Sequence, residues 1–310
     1  MKKDVLFEDV IKEWLEEKKL FIKYSTYAYY TIEAKNYIIP ILGKRPVKEI
    51  TEKELQRTIM YWQKEGGNCH NPLKKSTVQN LVTITKQCIK FAIKEGYMEE
   101  CALDLHFIPT NYHKKKKVFS KSEQVDIIQA VLGEPSYRTF GILLCLNSGL
   151  RIGELCALRW EDFDFKNGII HITKTLQRVY DPASTPKTKI VISSPKTLTS
   201  NRDIPLSAKM VEFISQLEIN KMGYVLTNEN RYMEPRTFRK FYAHFLQRHG
   251  IAALNVHCLR HTFATRCIEN GGDYKSVSEI LGHTTINTTL NMYVHPQLEE
   301  KRKCVELIQW

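Results

Sequence analysis

The chain has 310 residues, of which 43% are hydrophobic, so it is long enough to bury one or two cores and is not a disordered tail. Lys and Arg number 46 against 34 Asp and Glu, and the net charge of +12 favours a polyanionic partner, nucleic acid before an anionic membrane surface. No apolar run approaches the roughly 20 residues of a membrane-spanning helix.

The cysteines bear on the cellular compartment. Eight of them are scattered along the chain without a CxxC pair, which is typical of a reduced, cytoplasmic protein. They also lack the spacing of a zinc site, so we expect no metal centre.

Helical patterns dominate the first third of the chain. Apolar residues recur at helical spacing near the N-terminus. Ser25 or Thr26 is predicted to cap a second helix through Tyr37, which Pro40 and Gly43 end. Thr51 and Glu54 have capping-box spacing and predict the start of a third helix.

A lysine run marks the boundary between two domains. It consists of Lys114, Lys115, Lys116 and Lys117. Directly after it, Ser120 and Glu123 have capping-box spacing ahead of an apolar helical stripe. We therefore divide the chain into a helical first domain (1–112), a linker (113–118), a second domain (119–295) and a C-terminal tail (296–310).

The second domain starts helical and then changes period. Short apolar segments predict strands within 169–172, 189–193 and 203–206, which we expect to pair in one small antiparallel sheet. Helical patterns return after this region. The predicted fold class is therefore mainly α with a small antiparallel β-sheet.

Two pairs of charged residues stand at helical spacing in the second domain. Arg151 begins the helical pattern RIGELCALRW, and Glu154 follows three residues later on the same face. His257 and Arg260 have the same spacing in HCLRHTFATR. Each pair alone is more typical of a helix start or a solvated surface than of a site.

Three further residues are equally weak signals when taken singly. Lys196 lies in PKT just before the strand-like RDIPL, where a lysine is normally solvated. His283 follows a Leu-Gly turn, and Tyr293 lies ten residues later in NMYVH. A packed histidine and a half-buried tyrosine are the ordinary interpretations of the last two.

The order of these segments carries more information than any one of them. SGLRIGEL, PKTLTSNRDIPL, HCLRHTFAT, LGH and a tyrosine ten residues past that histidine follow one another. This order resembles the catalytic domain of the tyrosine recombinases, the phage integrase family, from about Val118 to His295. The first domain, with YIIPILGKRPVKEIT, resembles their helical, SAM-like core-binding domain, so the resemblance implies that domain followed by an α+β catalytic domain.

The resemblance also implies a site-specific DNA recombinase or integrase that works through a 3′-phosphotyrosyl intermediate, on a mobile element or phage. The matching positions are Arg151 and Arg260 for the two arginines, Glu154 for the supporting acid, Lys196 for the hairpin lysine, His257 and His283 for the histidines, and Tyr293 for the nucleophile. Lys187 lies in a second PKT and stays a rival for the lysine. Two arginines neutralise a phosphate, so neither a metal nor another cofactor is expected.

The implied partners follow from the family. We expect double-stranded DNA with attachment or element-end sites, bound by a homotetramer on two duplexes, in the bacterial cytoplasm. Lys74, Lys75 and the lysine run are candidate phosphate contacts. The chain starts at the core-binding helices, so binding of accessory DNA arms is not expected. A role for a DNA-bending or excision factor stays open, as does docking of the tail in cis or in trans.

Two other functions compete with recombination. A type IB topoisomerase uses similar chemistry to relax DNA, but the integrase-like first domain argues against it. A non-catalytic DNA-binding regulator is the other alternative. The intact set of matching residues argues against that function, because loss of activity tends to erode such a set.

Overall fold

In the computed structural model, the backbone contacts divide the chain into two units. The structure describes residues 5–66, 71–109, 117–194, 201–217, 221–293, 302, 305 and 306, with the backbone alone at 291–293. Among these, the first unit falls within Met1–His113 and Val179–Lys189, and the second within Lys114–Arg178 and Ile190–Trp310.

Amphipathic helices build the first unit. Its described helical segments are α1 (Phe7–Lys19), α2 (Tyr24–Glu33), a π-helical turn (Ala34–Ile38), α3 (Ile39–Leu42), a 3₁₀ turn (Val47–Glu49), α4 (Glu52–Lys64) and α5 (Lys75–Lys94). The longer helices turn apolar stripes towards one shared core, in which Trp14 and Trp62 are almost fully buried. This burial supplies the main driving force for folding of the unit.

The helix starts in this unit confirm one prediction and correct another. Thr51 caps α4, because its hydroxyl accepts a hydrogen bond from the Glu54 N–H at 3.3 Å. The prediction of Ser25 or Thr26 as the cap of α2 is wrong, since both residues lie within its first turn. The cap is Lys23. Its backbone is extended, and its carbonyl accepts a hydrogen bond from the Thr26 N–H at 2.8 Å.

Pro40 does not end the helix, contrary to the prediction, whereas Gly43, which was predicted together with it, is the C-cap of α3. The chain continues in helical conformation through Pro40 to the end of α3. Proline normally clashes with the carbonyl four residues earlier. Here the wider π-helical turn Ala34–Ile38 comes directly before α3, so Pro40 takes a place in the first turn of a new helical segment, where it is tolerated.

The second unit combines helices with short strands. Its described elements are α6 (Lys121–Gly133), α7 (Tyr137–Ser148), α8 (Ile152–Ala157), a 3₁₀ turn (Trp160–Asp162), β1 (Phe163–Asp164), β2 (Ile169–Ile172), β3 (Thr175–Tyr180, which runs on into the first unit), β4 (Thr188–Ser193), β5 (Arg202–Pro205), α9 (Ala208–Gln216), α10 (Pro235–Arg248), α11 (His257–Glu269), α12 (Tyr274–Leu281) and α13 (Ile286–Tyr293). Among the residues described, no helix is both long and apolar enough to cross a membrane.

The beginning of the second unit is hydrogen-bonded to α11. The predicted capping box at α6 is confirmed, since Ser120 and Glu123 exchange both hydrogen bonds. Next to it, the buried Phe119 donates its N–H to the Thr262 hydroxyl at 2.9 Å, and its carbonyl accepts from Arg266 at 2.7 Å. The segment that enters this unit is therefore tied to the helix that begins at His257.

Helix α7 is the centre of the second core. It buries side chains along nearly its whole length, which is typical of a helix surrounded by other elements. Helices α8, α10 and α11 pack against it. Since α8 and α11 begin at or next to predicted site residues, this core fixes the spacing between them.

The strands form two sheets, where the sequence predicted one. Strands β1, β2 and β5 make an antiparallel sheet in which β2 is central. Strands β3 and β4, between β2 and β5 in the chain, pair only with each other among the described strands. The predicted segment 189–193 therefore belongs to a separate hairpin, because the excursion between β2 and β5 satisfies its hydrogen bonds internally.

The space around Gly149 yields the first prediction. Gly149 ends α7 in the left-handed conformation, with φ of 63°, and an added Cβ would lie 2.7 Å from Phe263 and 2.8 Å from Leu281. Gly149→Ala should lower the free energy of unfolding by roughly 2–5 kcal/mol, from backbone strain plus overpacking. Urea unfolding followed by tryptophan fluorescence measures the loss.

Gly250→Ala is the matched control. Gly250 has the same backbone conformation, with φ of 65°, but an added Cβ meets nothing within 4 Å. Only the backbone term applies there, so a loss of about 1–2 kcal/mol is expected. Equal losses in the two variants would show that overpacking around Gly149 does not contribute to the loss in the free energy of unfolding.

Candidate active site

The C-terminal end of α12 gathers three arginines. The last carbonyls of an α-helix have no partner within the helix and lie at the negative end of its dipole. Here three consecutive carbonyls each accept an N–H from a different arginine: Ile280 from Arg202 (Nε, 2.5 Å), Leu281 from Arg260 (Nη2, 2.7 Å) and Gly282 from Arg151 (Nη2, 2.8 Å). One helix end thus holds three guanidinium groups in a fixed arrangement.

Arg151 occupies the start of α8. The left-handed turn at Gly149 ends α7, and Arg151 follows as the N-cap residue of the next helix. Its N–H and its Nη1 both donate to the Glu154 carboxylate, at 2.9 and 2.8 Å. The Arg151 side chain remains 35% exposed, so it is held by these bonds and is still accessible to solvent.

Glu154 is the buried anion of the site. Its side chain is 3% exposed and also pairs with Arg202, whose Nη1 and Nη2 reach the two carboxylate oxygens at 3.0 and 2.8 Å. Burial opposes ionisation of Glu154. The hydrogen bonds and positive charges of Arg202 and Arg151 outweigh that effect and lower the pKa of the carboxyl below its ordinary value.

Arg260 is the most deeply buried of these arginines, with 2% exposure. It lies one turn into α11 and donates to the Gly149 carbonyl and to the Leu281 carbonyl, both at 2.7 Å. Arg151 and Arg260 therefore bind adjacent carbonyls of the same turn. Of the five N–H donors of each guanidinium, Arg260 uses two for the Gly149 and Leu281 carbonyls and Arg151 uses one for the Gly282 carbonyl.

His257 begins α11 and is exposed. Its N–H donates to the Asn255 side chain at 2.9 Å, which satisfies one donor at the start of the helix. Its ring meets the buried His261 ring edge to face, with centroids 4.6 Å apart. His257 and Arg260 lie three residues apart at the start of α11, so both are on one face of that helix, as the spacing predicts.

His283 directly follows the turn that holds the arginines. It is half-buried, and its Nδ1 lies 2.8 Å from the hydroxyl of the buried Thr289. Helix α13 packs on α11 and α12 and ends at Tyr293. The backbone thus places Tyr293 on the helix that comes after His283, within the same helical group.

The predicted lysines fall in different places. Lys196 and the first three lysines of the run, Lys114, Lys115 and Lys116, lie outside the described residues, as does most of the C-terminal tail. Lys117 and Lys74 are exposed, and Lys75 is the first residue of α5. Lys187 is exposed within Val179–Lys189, which groups with the first unit, whereas Arg151 and Arg260 belong to the second.

Arg202 was missed by the sequence analysis. It is the first residue of β5, in the RDIPL segment that helped to locate Lys196. Its burial and its contacts with Glu154 depend on a pairing between residues 48 positions apart, which no local spacing reveals. The available signal was an arginine at the start of a strand whose other inward-facing residues are apolar.

The arrangement suits an anion with several oxygens. Among the described residues, no group of three or more His, Cys, Asp and Glu side chains could hold a metal ion. The convergent charges are guanidinium groups, with imidazoles on two neighbouring elements. Such donors bind phosphate oxygens through paired N–H groups.

Comparison with known families gives the class. Residues 117–300 match the phage integrase family, and residues 6–63 match the N-terminal SAM-like domain of phage integrases. The first match covers more than half of the chain, so this protein belongs to the phage integrase family, the tyrosine recombinases, which exchange DNA strands. The predicted family, fold class and type of enzyme are confirmed.

Individual relatives agree with this class. The chain is 28% identical to a tyrosine recombinase XerC-like protein of Caldanaerobacter subterraneus subsp. tengcongensis, over 98% of this chain and 83% of that protein. The Tn1549 transposon integrase, solved with a circular intermediate DNA, has a TM-score of 0.79 at 20% identity, over 98% of this chain and 99% of that one. A lambda integrase tetramer bound to a Holliday junction has a TM-score of 0.64 at 17% identity, over 96% and 80%. These two structures establish the fold alone.

The lowered pKa of Glu154 predicts a pH dependence of stability. A carboxyl with a depressed folded-state pKa stabilises the fold above its unfolded pKa of about 4.3, and this stability is lost as the pH falls through the folded value. Glu154→Gln should therefore be less stable than wild type at pH 7, and the difference should shrink steadily below about pH 4. Urea unfolding midpoints between pH 7 and pH 3 measure the difference.

Glu212→Gln provides the comparison for this series. Glu212 is an exposed carboxyl on α9, so its replacement should change the midpoint little at any pH. A difference between Glu154→Gln and wild type that stays constant from pH 7 to pH 3 would contradict a stabilising charge at Glu154.

Proposed function

We propose that this chain is a site-specific DNA recombinase that cleaves and rejoins DNA strands through a 3′-phosphotyrosyl intermediate, and that it integrates or excises a mobile element. The observation that carries the proposal is the C-terminal end of α12, where Arg151 and Arg260 bind the adjacent Gly282 and Leu281 carbonyls immediately before His283. This arrangement forms a receptor for one phosphate next to the helix that ends at Tyr293.

The two arginines act on the charge of the reaction. A phosphodiester repels nucleophiles, and its transition state gathers negative charge on the non-bridging oxygens. Arg151 and Arg260 present N–H donors to those oxygens from positions fixed by backbone carbonyls. Donors held in this way are worth on the order of 3 kcal/mol each, enough to perform the step without a metal ion.

Tyr293 supplies the nucleophile. A phenol has a pKa of about 10, so its neutral form attacks poorly and needs a base or a positive pocket. His257 takes the phenol proton as the Tyr293 oxygen attacks phosphorus. The bond between phosphorus and the 5′ oxygen breaks, and the hairpin lysine donates a proton to that oxygen.

The intermediate keeps the energy of the broken bond. One phosphodiester is exchanged for another, so a free 5′ hydroxyl from a second strand can attack the phosphotyrosine and restore the DNA. No nucleotide cofactor is needed for rejoining. Attack by a strand of another duplex gives exchange, whereas attack by the original strand restores the starting DNA.

The hairpin lysine is assigned to Lys196. Lys196 falls between β4 and β5, in the connection that leads directly to Arg202 and so to Glu154. Lys187 precedes β4, within a segment that groups with the first unit. The short chain path from Lys196 to the buried ion pair favours it as the acid.

The assembly and the target complete the proposal. The lambda integrase tetramer on a Holliday junction supports a homotetramer on two duplexes, and the Tn1549 transposon integrase supports a role in element transfer. Lys74, Lys75 and the lysine run bind phosphates and do not read sequence. The reaction takes place in the bacterial cytoplasm, where the DNA is.

A covalent trapping experiment tests the nucleophile. The substrate is a duplex with the end sequence of the encoding element, nicked so that the cleaved strand cannot be rejoined. In EDTA, wild type should form a protein–DNA adduct that survives denaturation, and Tyr293→Phe should form none while binding DNA equally well. Denaturing gels follow the adduct.

Exchange between two labelled duplexes separates recombination from relaxation alone. Wild type should join strands of different duplexes. Tight binding without any adduct would instead favour a DNA-binding protein that has lost the reaction.

A leaving-group experiment tests the lysine. Lys196→Ala should slow cleavage at least about 100-fold, because it removes a general acid, and Lys187→Ala should change the rate less than about threefold. Replacement of the 5′ bridging oxygen by sulfur should restore Lys196→Ala, because a thiolate leaves without a proton. The opposite pattern in the two variants would assign the acid to Lys187.

A further inference from the structure

Arg202 is a buried cation without an assigned role. Its side chain is 5% exposed, less than that of Arg151. It binds both oxygens of Glu154 and the Ile280 carbonyl, so it joins β5 to α8 and to the end of α12.

We infer that Arg202 is a positioning residue for strand cleavage. It holds Glu154 and the C-terminal end of α12 in fixed positions, so that Arg151 meets the scissile phosphate. This inference rests on the proposed cleavage reaction. Arg202 makes no contact with DNA in this proposal. It acts on the reaction through the groups that orient Arg151.

The contacts of Arg202 and Arg151 converge on the same two structures. Both arginines bind the Glu154 carboxylate, and both bind carbonyls at the C-terminal end of α12, two residues apart. Arg202 therefore fixes the two supports that Arg151 uses. A shift of either support moves the Arg151 guanidinium with it.

The fit between Arg202 and the turn is close. An added Cβ at Gly282 would lie 3.1 Å from Arg202 Cδ and 3.2 Å from its Nη1. The glycine thus leaves the space in which the Arg202 side chain lies along the turn. A side chain at Gly282 would require the Arg202 side chain to move by a few tenths of an ångström.

Stability alone does not explain a charged group in this place. A buried ion pair gains little over well-packed apolar residues of the same volume, because desolvation offsets most of the attraction. Its planar, bidentate geometry does fix orientation. A misplacement of about 1 Å in a reacting site can cost about 100-fold in rate, so orientation is the larger effect.

The test compares two substrates in single-turnover cleavage by the full chain. One is the nicked duplex with its normal scissile phosphate. The other carries a methylphosphonate at that position, which removes the negative charge that Arg151 neutralises. Wild type, Arg202→Met and Arg202→Lys are measured with both, together with DNA affinity and thermal unfolding.

The expected result is a loss that depends on phosphate charge. On the normal phosphate, Arg202→Met should cleave about 100-fold more slowly, and Arg202→Lys about 10-fold, at unchanged DNA affinity. On the methylphosphonate, both losses should shrink to less than about threefold. Arg202→Lys retains the buried charge, so it carries the test if Arg202→Met does not fold.

Arg248→Met is the matched control. Arg248 pairs with Glu134 at 2.6 Å on the exposed surface of the same unit. The Arg248→Met variant therefore removes an Arg–Glu pair that lies away from the site. It should cleave both substrates at the wild-type rate.

Two results would overturn the inference: equal losses on both substrates, or no loss on the normal phosphate. If wild type itself forms no adduct, the proposed cleavage reaction fails first. The DNA affinity and the unfolding data then show that the protein is intact.

Discussion

The site depends on the unpaired carbonyls at the end of α12. The last carbonyls of a helix need partners outside the helix. Here the partners are three arginine side chains: Arg151 at the start of α8, Arg202 of β5 and Arg260 of α11. The same bonds satisfy the helix and fix the cations. Since the three guanidiniums repel one another, the helix dipole and one buried carboxylate are needed to hold them together. A phosphodiester bound beside them would add one further negative charge.

Two left-handed glycines determine where those carbonyls lie. Gly149 ends α7 and Gly282 ends α12, and the carbonyl of each accepts an N–H from a different arginine of the pair. Left-handed backbone turns the chain sharply at no cost for glycine. The next residues, Leu150 and His283, then lead into the elements that follow. Local helix-ending rules thus set the positions of two carbonyls that hold Arg151 and Arg260.

Order and local chemistry in the sequence pointed to Arg151, Glu154 and Arg260, which the structure links through hydrogen bonds to one another or to the end of α12. Capping residues such as Ser120 and Thr51 predicted their helices because a cap acts within three residues. Pro40 misled because a π-helical turn, which no local signal announces, precedes it. The separate hairpin and the ion pair between Arg202 and Glu154 were not predictable for a related reason. Both depend on which distant strand or helix is the neighbour, and spacing along the chain does not contain that information.

One helix end is proposed to hold both arginines for one phosphate. A crystal structure of Tyr293→Phe bound to an uncleaved duplex is the decisive measurement. We expect Arg151 and Arg260 both to donate to non-bridging oxygens of the same phosphate while they keep their bonds to the Gly282 and Leu281 carbonyls. Arginines that leave those carbonyls to reach the DNA, or that contact different phosphates, would contradict it.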